Sequence, residues 1–208
     1  RNRPASRAAS FLGGGIYDRH IPALVRYVIS RSEFYTSYTP YQAEVSQGTL
    51  QAIYEYQSLI CRITGMDVSN ASMYDGATAL AEAMLMASGI AKGGRVLVPR
   101  ALSPAYRAVL DCYAAARGIA LAEIPYAKDG RMDLDRVSSA LSEKTAAVIL
   151  AQPNYFGLVE PSHELAALAH GAGSLLIACV DPVSCAILAP PGESGADIAV
   201  GEGQSLGL

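Results

Sequence analysis

Between residues 95 and 180 the chain reads RVLVP (95–99), PAYRAVLDCYAAAR (104–117), IALAEI (119–124), LDRVSSAL (134–141), AAVILA (146–151), HELAALA (163–169) and LLIACV (175–180). Short Val/Ile/Leu-rich runs alternate with segments of helical apolar spacing. This alternation predicts an α/β fold: a mostly parallel sheet with helices on both faces. Asp197 to Val200 reads as a last strand. Upstream, Leu50, Ile53, Tyr54, Gln57, Ile60 and Ile63 follow the spacing of a long amphipathic helix that stops at Gly65. Asp75-Gly76-Ala77-Thr78-Ala79 opens a second helical run, which lasts to Ala91 and is closed by Gly93-Gly94. Nearer the start, Phe11 to Gly15 reads as a flexible turn, and Ile21 to Ser30 as a helix with Pro22 in its first turn. The stretch from Tyr35 to Gln42 reads as an exposed, ordered loop, since Pro40 disfavours helical geometry at Thr39.

Composition narrows the function classes. A net charge of −3, without a dense basic run, gives no footprint for a nucleic-acid backbone. The longest apolar runs are far shorter than the roughly 20 residues that cross a bilayer, so no membrane span is expected. The first residues lack the apolar stretch of a secretory signal, which makes the cytoplasm the expected compartment. A start without Met, and an end just after a strand-like segment, read as a shortened chain. Cys61, Cys112, Cys179 and Cys185 show no C-x-x-C spacing and read as buried reduced thiols. His163 and His170 are seven apart and His20 stands alone, so no zinc-gripping pair is present and no metal is expected.

In open α/β sheets, ligands gather at the carboxyl ends of strands and at helix N-termini. Four segments there carry polar groups. Asp75-Gly76-Ala77-Thr78 places small residues at a helix start, where N–H groups and a hydroxyl can hold a phosphate; an ordinary helix cap has the same composition. Gln152-Pro153-Asn154-Tyr155-Phe156-Gly157 puts an amide at a strand's carboxyl end, and a plain turn reads the same way. Asp181 ends a very apolar strand, where a carboxylate is costly without a partner. It also reads as a capping acid before Pro182. Finally, Tyr38, Thr39, Tyr41, Gln42, Glu44, Ser46 and Gln47 make a loop dense in hydroxyl, amide and carboxylate groups, of the kind that binds a ligand or sits in an interface.

The strings FLGGGIYDRHIP (11–22), RSEFYTSYTPYQAEVSQGTLQAIYEYQSLICRITGMDVSNASMYDGATALAEA (31–83) and GADIAVGEGQSLGL (195–208) resemble the glycine dehydrogenase (decarboxylating) family, the P-protein of the glycine cleavage system. The likeness is to subunit 1 of the two-subunit form, or the N-terminal half of the single-chain form. It implies a fold-type I large domain of the pyridoxal-phosphate (PLP)-dependent transferase type over residues 49–208, preceded by an arm, helix and active-site loop over 1–48. By this resemblance Asp75, Gly76, Ala77 and Thr78 occupy the phosphate loop, Asn154 the ring-contact turn, and Asp181 the position that pairs with the ring nitrogen.

In that family the catalytic subunit holds PLP as a Schiff base on a lysine in the turn after a late strand. The corresponding turn here runs from Asp197 to Ser205, with Gln204-Ser205 where the catalytic subunit has a His-Lys pair. Serine cannot form the imine. Lys92, Lys128 and Lys144, the chain's only lysines, all read as solvated turn residues. The resemblance therefore implies a vestigial cofactor site, with PLP carried by the partner: P-protein subunit 2, or a C-terminal half. Weak, non-covalent binding of PLP or another anion to this chain stays open. The assembled oligomer would decarboxylate glycine and pass the aminomethyl group to the lipoyl H-protein, with Tyr38, Thr39, Tyr41, Gln42 and Glu44 reaching across to complete the partner's site. A second reading is an independent aminotransferase or lyase whose lysine lies beyond Leu208; Ser205 argues against it.

Overall fold

The computed structural model describes residues 18–207; the Phe11 to Gly15 turn lies outside them. At its centre are five strands, β1 (Arg95–Pro99), β2 (Ala120–Ile124), β3 (Thr145–Gln152), β4 (Leu175–Val180) and β5 (Ile198–Gly201). They lie side by side in the order β2-β1-β3-β4-β5, and every pairing is parallel. The helices are α1 (Ala23–Ile29), α2 (Ser32–Tyr35), α3 (Gln47–Thr64), α4 (Gly76–Ala91), α5 (Pro104–Arg117), α6 (Leu134–Ala140) and α7 (Ser162–Gly171). Short 3-10 turns follow β4 (Pro182–Ala186) and β5 (Gly203–Leu206).

The period of two along each strand builds the two cores. Val96, Val98, Ala147, Ile149 and Ile177 face one side, where Leu80 and Met84 of α4 and Leu110 of α5 cover them. Leu97, Val148, Leu150, Leu176 and Ala178 face the other, against Val137 of α6 and Leu165 of α7. Strand β3 is buried at every position, as an interior strand covered on both faces must be. Each large side chain sealed in this way contributes roughly 1.5–3 kcal/mol of transfer free energy.

Because the strands are parallel, their carboxyl ends share one edge of the sheet. Helix α4 starts at that edge and runs away from it. Only Lys92, Gly93 and Gly94 separate its C-terminus from β1, so that end sits at the strands' amino edge and Gly76 at their carboxyl edge. A side chain at Gly93 would strike the Lys144 carbonyl and the Ala146 N–H, so the close approach of this link to β3 requires glycine.

Some expectations needed adjusting. Pro22 caps α1 from outside, and the helix begins at Ala23, since the Pro22 backbone is extended, with ψ at 143°. Tyr35 ends the short helix α2 and so leaves the loop, which begins at Thr36. The four cysteines are free thiols, but they are not all buried as expected: Cys61, Cys179 and Cys185 are part-buried, and Cys112 is exposed on α5. No helix of the described residues is long and apolar enough to cross a membrane.

Helices α1 and α2 bury no side chain, and α3 buries only Thr64. Helix α3 ends at Gly65 in the left-handed conformation, and the Gly192 N–H donates to the Thr64 carbonyl at 2.9 Å. That tie fixes the end of α3 against the loop that leads into β5.

Candidate functional site

The first turn of α4 meets the turn after β5. Asp75 caps the helix: its Oδ1 accepts the Thr78 N–H and the Thr78 hydroxyl, each at 2.7 Å, while the Asp75 N–H donates to Thr78 Oγ1 at 3.2 Å. Such reciprocal caps contribute about 1 kcal/mol. The Thr78 N–H, and then its hydroxyl, hold the Asp75 carboxyl below the usual range. A second carboxylate joins it. Glu202 Oε1 accepts the Gly76 N–H at 2.8 Å and the Tyr106 hydroxyl at 3.0 Å. Burial, and then the neighbouring Cys179 and Glu202, raise the Tyr106 hydroxyl well above its ordinary pKa, so it stays a donor. Burial, reinforced by Glu202, pushes the Cys179 thiol up to about 12. Two carboxylates thus sit at the positive end of a 16-residue helix, which is where negative charge is favoured.

At the end of β4, Asp181 Oδ2 pairs with the Arg19 guanidinium at 2.7 Å. Its Oδ1 accepts the Ser205 hydroxyl and the Val183 N–H, both at 3.1 Å. Burial alone would raise Asp181, but Arg19, the Val183 N–H and the Ser205 hydroxyl together bring it below its ordinary value of 3.8. A depressed carboxyl adds stability above the unfolded value and loses it as pH falls through the folded one. Asp181→Asn is therefore expected to flatten the acid limb of a stability-against-pH curve below 3.8. It should cost about 1 kcal/mol near neutrality, because the pair is part-exposed. Urea midpoints across pH 2–6, roughly spanning the carboxylate range, would check this; an unchanged acid limb would remove Asp181 as its source.

Beside this cluster opens a cleft of about 650 Å³, lined by Tyr56, Ser69, Asn70, Tyr74, Glu82 and Gln204 among others. Asp75 and Glu202 form part of its wall. No lysine lies there: Lys92, Lys128 and Lys144 are exposed in turns, Lys92 capping the far end of α4.

The fold brings Asp75, Gly76, Thr78, Asp181 and Ser205 to one edge, while other expected residues sit apart. Asn154 does not line the cleft. Its Nδ2 donates to the Gly130 carbonyl and to Glu160, and its Oδ1 accepts the Phe156 and Leu158 N–H groups. All its hydrogen-bonding capacity goes to its own turn and to the distant Gly130 carbonyl, leaving none for a ring. Tyr38, Thr39, Tyr41, Gln42 and Glu44 are exposed and also lie outside the cleft; the Tyr38 and Tyr41 rings contact each other 6.2 Å apart.

Three residues with prominent roles escaped the sequence reading: Glu202, Tyr106 and Arg19. Glu202 alone left a local signal, an acid between two glycines in the turn after a strand. Tyr106 and Arg19 left none.

Several known proteins share this architecture. A family model described as glycine cleavage system P-protein matches residues 2–208. The chain is 55% identical over 201 residues to a probable glycine dehydrogenase (decarboxylating) subunit 1 of Moorella thermoacetica, covering 97% of this chain and 45% of that protein. It is 53% identical to the protein of the same name from Chlorobium chlorochromatii, covering 99% and 46%. A crystal structure of glycine decarboxylase (P-protein) of the glycine cleavage system, in inhibitor-bound form, superposes with a TM-score of 0.92 at 49% identity, covering all of this chain and 46% of that one. The cysteine desulfurase CsdA of Escherichia coli shares only the fold, at 15% identity and a TM-score of 0.66 over 89% and 48% of the two chains. The fold is the fold-type I large domain of PLP-dependent transferases, and the chain spans just under half the length of the curated relatives it matches. With the family model matched over residues 2–208 and relatives more than half identical along nearly its whole length, this chain belongs to the glycine cleavage system P-protein family.

Proposed function

We propose that this chain is the part of a cytoplasmic glycine decarboxylase that lacks the cofactor lysine and completes the active site of a catalytic partner. The partner is P-protein subunit 2, or a C-terminal half, and the aminomethyl group leaves on the lipoyl arm of the H-protein. PLP on the partner supplies the electron sink for loss of CO2 from glycine. The observation that carries this reading is the turn after β5, where Ser205 directs its hydroxyl at Asp181. The residues here do not fit PLP held by this chain: no amine stands in the turn, and the Gly76 N–H and the Asp181 carboxylate already have partners.

In this proposal the segment up to residue 48 is an arm and loop, and the large domain begins at 49. Helices α1 and α2 bury nothing, and Tyr38 and Tyr41 are 80% and 81% exposed. Exposed aromatic surface of this density supports an interface. In the proposal, Tyr38, Thr39, Tyr41, Gln42 and Glu44 orient substrate and exclude water at the partner's site.

Two experiments test the proposal. The full-length chain, expressed without its partner and mixed with PLP, is expected to show no imine band that borohydride removes; a reducible adduct mapped to Lys92, Lys128 or Lys144 overturns the missing-lysine reading. Tyr41→Phe combined with Gln42→Ala should lower kcat/KM of the reconstituted complex at least roughly tenfold, about 1.4 kcal/mol. Stability should be unaffected, since both residues are exposed. Unchanged turnover means the loop does not serve the site.

A further inference from the structure

The Gly76 and Thr78 N–H groups at the start of α4, and the carboxylate at the end of β4, are already satisfied from within the chain. Glu202 Oε1 lies 2.8 Å from the Gly76 nitrogen, on the first N–H of α4, and takes the Tyr106 hydroxyl as a second donor. The Thr78 N–H is taken by Asp75. The space above Gly76 is filled as well: a Cβ there would overlap the Tyr106 hydroxyl and stand 2.8 Å from Glu202 Oε1. At the end of β4, the Arg19 guanidinium supplies the positive charge that a ring nitrogen would bring to Asp181. Both partners come from distant parts of the chain, 126 residues away for Glu202 and 162 for Arg19.

We infer that Glu202 is an internal substitute for a ligand's phosphate: its carboxylate occupies the anion seat at the start of α4 and closes that seat to phosphorylated cofactors. The inference rests on the reading of this chain as a cofactor fold without its lysine, and adds to it the means of exclusion. A phosphate arriving at Gly76 must displace Glu202 from two hydrogen bonds. It must then sit beside two carboxylates, Asp75 and Glu202, whose charge repels it. The seat thereby becomes a structural tie that joins α4, α5 and the turn after β5. In the assembled enzyme it directs the cofactor to the partner.

The test uses pyridoxine 5′-phosphate, which has no aldehyde and cannot form an imine, and inorganic phosphate as a separate probe. Each is titrated into the full-length chain by calorimetry, with the phosphorus resonance followed in parallel. The wild type is expected to show no saturable binding of either at millimolar concentration. Glu202→Ala frees the Gly76 N–H and the Tyr106 hydroxyl, and is expected to bind both probes at least tenfold more tightly than wild type. Glu202→Gln keeps the shape and removes the charge, so it should fold even where the alanine variant does not, and should show a smaller gain. Saturable wild-type binding that Glu202→Gln leaves unchanged overturns the inference. So does the absence of any gain in a folded Glu202 variant. Neither result depends on imine formation, so failure here is distinct from failure of the borohydride test.

Discussion

Gly201→Ala is expected to lower the unfolding free energy by roughly 2–3 kcal/mol, the scale of a severe overpacking change. Gly201 is the last residue of β5 and lies in register with Val180 of β4. A Cβ at this position would run into the Val180 carbonyl oxygen, with the Pro182 ring 3.7 Å away. The obstacle is backbone inside a parallel ladder, so no side-chain rotation relieves it; the carboxyl end of β5 must move away from β4. The next residue is Glu202, so the same shift should loosen its hold on Gly76 and Tyr106. Gly203→Ala is the control two residues on, since its nearest neighbour is the Tyr56 hydroxyl at an ordinary 3.7 Å. It should stay within about 0.5 kcal/mol of wild type. Urea midpoints of the two variants decide the matter. Equal midpoints would mean that β5 accommodates the extra carbon and that the glycine is not required there.

The second large effect is expected at Glu160. This carboxylate is only 3% exposed, and each oxygen accepts one buried donor: the Asn154 amide at 2.7 Å and the Met132 N–H at 2.8 Å. Its own N–H donates to Gln152 Oε1. The turn after β3 is thus fastened both to the end of β3 and to the segment entering α6. Glu160→Ala leaves two buried donors without acceptors and should cost roughly 3 kcal/mol. Glu160→Gln retains one acceptor and should cost about half as much. Burial raises the Glu160 pKa above its ordinary 4.5, against the smaller opposing effects of its hydrogen bonds. The sign follows from the native state holding this proton more readily than the unfolded chain. The contribution is fully present below 4.5 and is lost as pH rises through the raised folded value. Its slope is opposite to that of Asp181, and Glu160→Gln should abolish it. A Glu160→Gln curve parallel to wild type above pH 4.5 would show that the group titrates normally.

The strand and helix order was legible in the sequence because both depend on neighbours within a few positions. The runs 95–99, 146–151 and 175–180 became β1, most of β3 and β4, since a strand buried on both faces has few other compositions open to it. Gly65 marked a helix end for an equally local reason, its left-handed backbone; at the end of α4 the left-handed cap is Lys92, and Gly93 is required instead by its close approach to β3. The edges were less legible. The 3-10 turns at Pro182–Ala186 and Gly203–Leu206 are too short to leave an apolar period, and a four-residue helix such as α2 has no amphipathic face to read.

The candidate site divides in the same way. Asp75 and Thr78 are three apart, and a capping pair at that spacing is written in the sequence. Asn154 stood where a ligand-facing amide was expected, yet its use was decided by Gly130 and Glu160, which the fold carries to it from either side. By itself, the sequence determined the sheet order's raw material, the family motifs, and the serine in the turn after the last strand. Only the tertiary structure decided that Glu202 fills the start of α4 and that Arg19 neutralises Asp181. Those contacts span 126 and 162 residues. A pairing over such a distance imposes no period and no local composition, so it becomes visible only once the parallel sheet gathers the carboxyl ends of its strands along one edge.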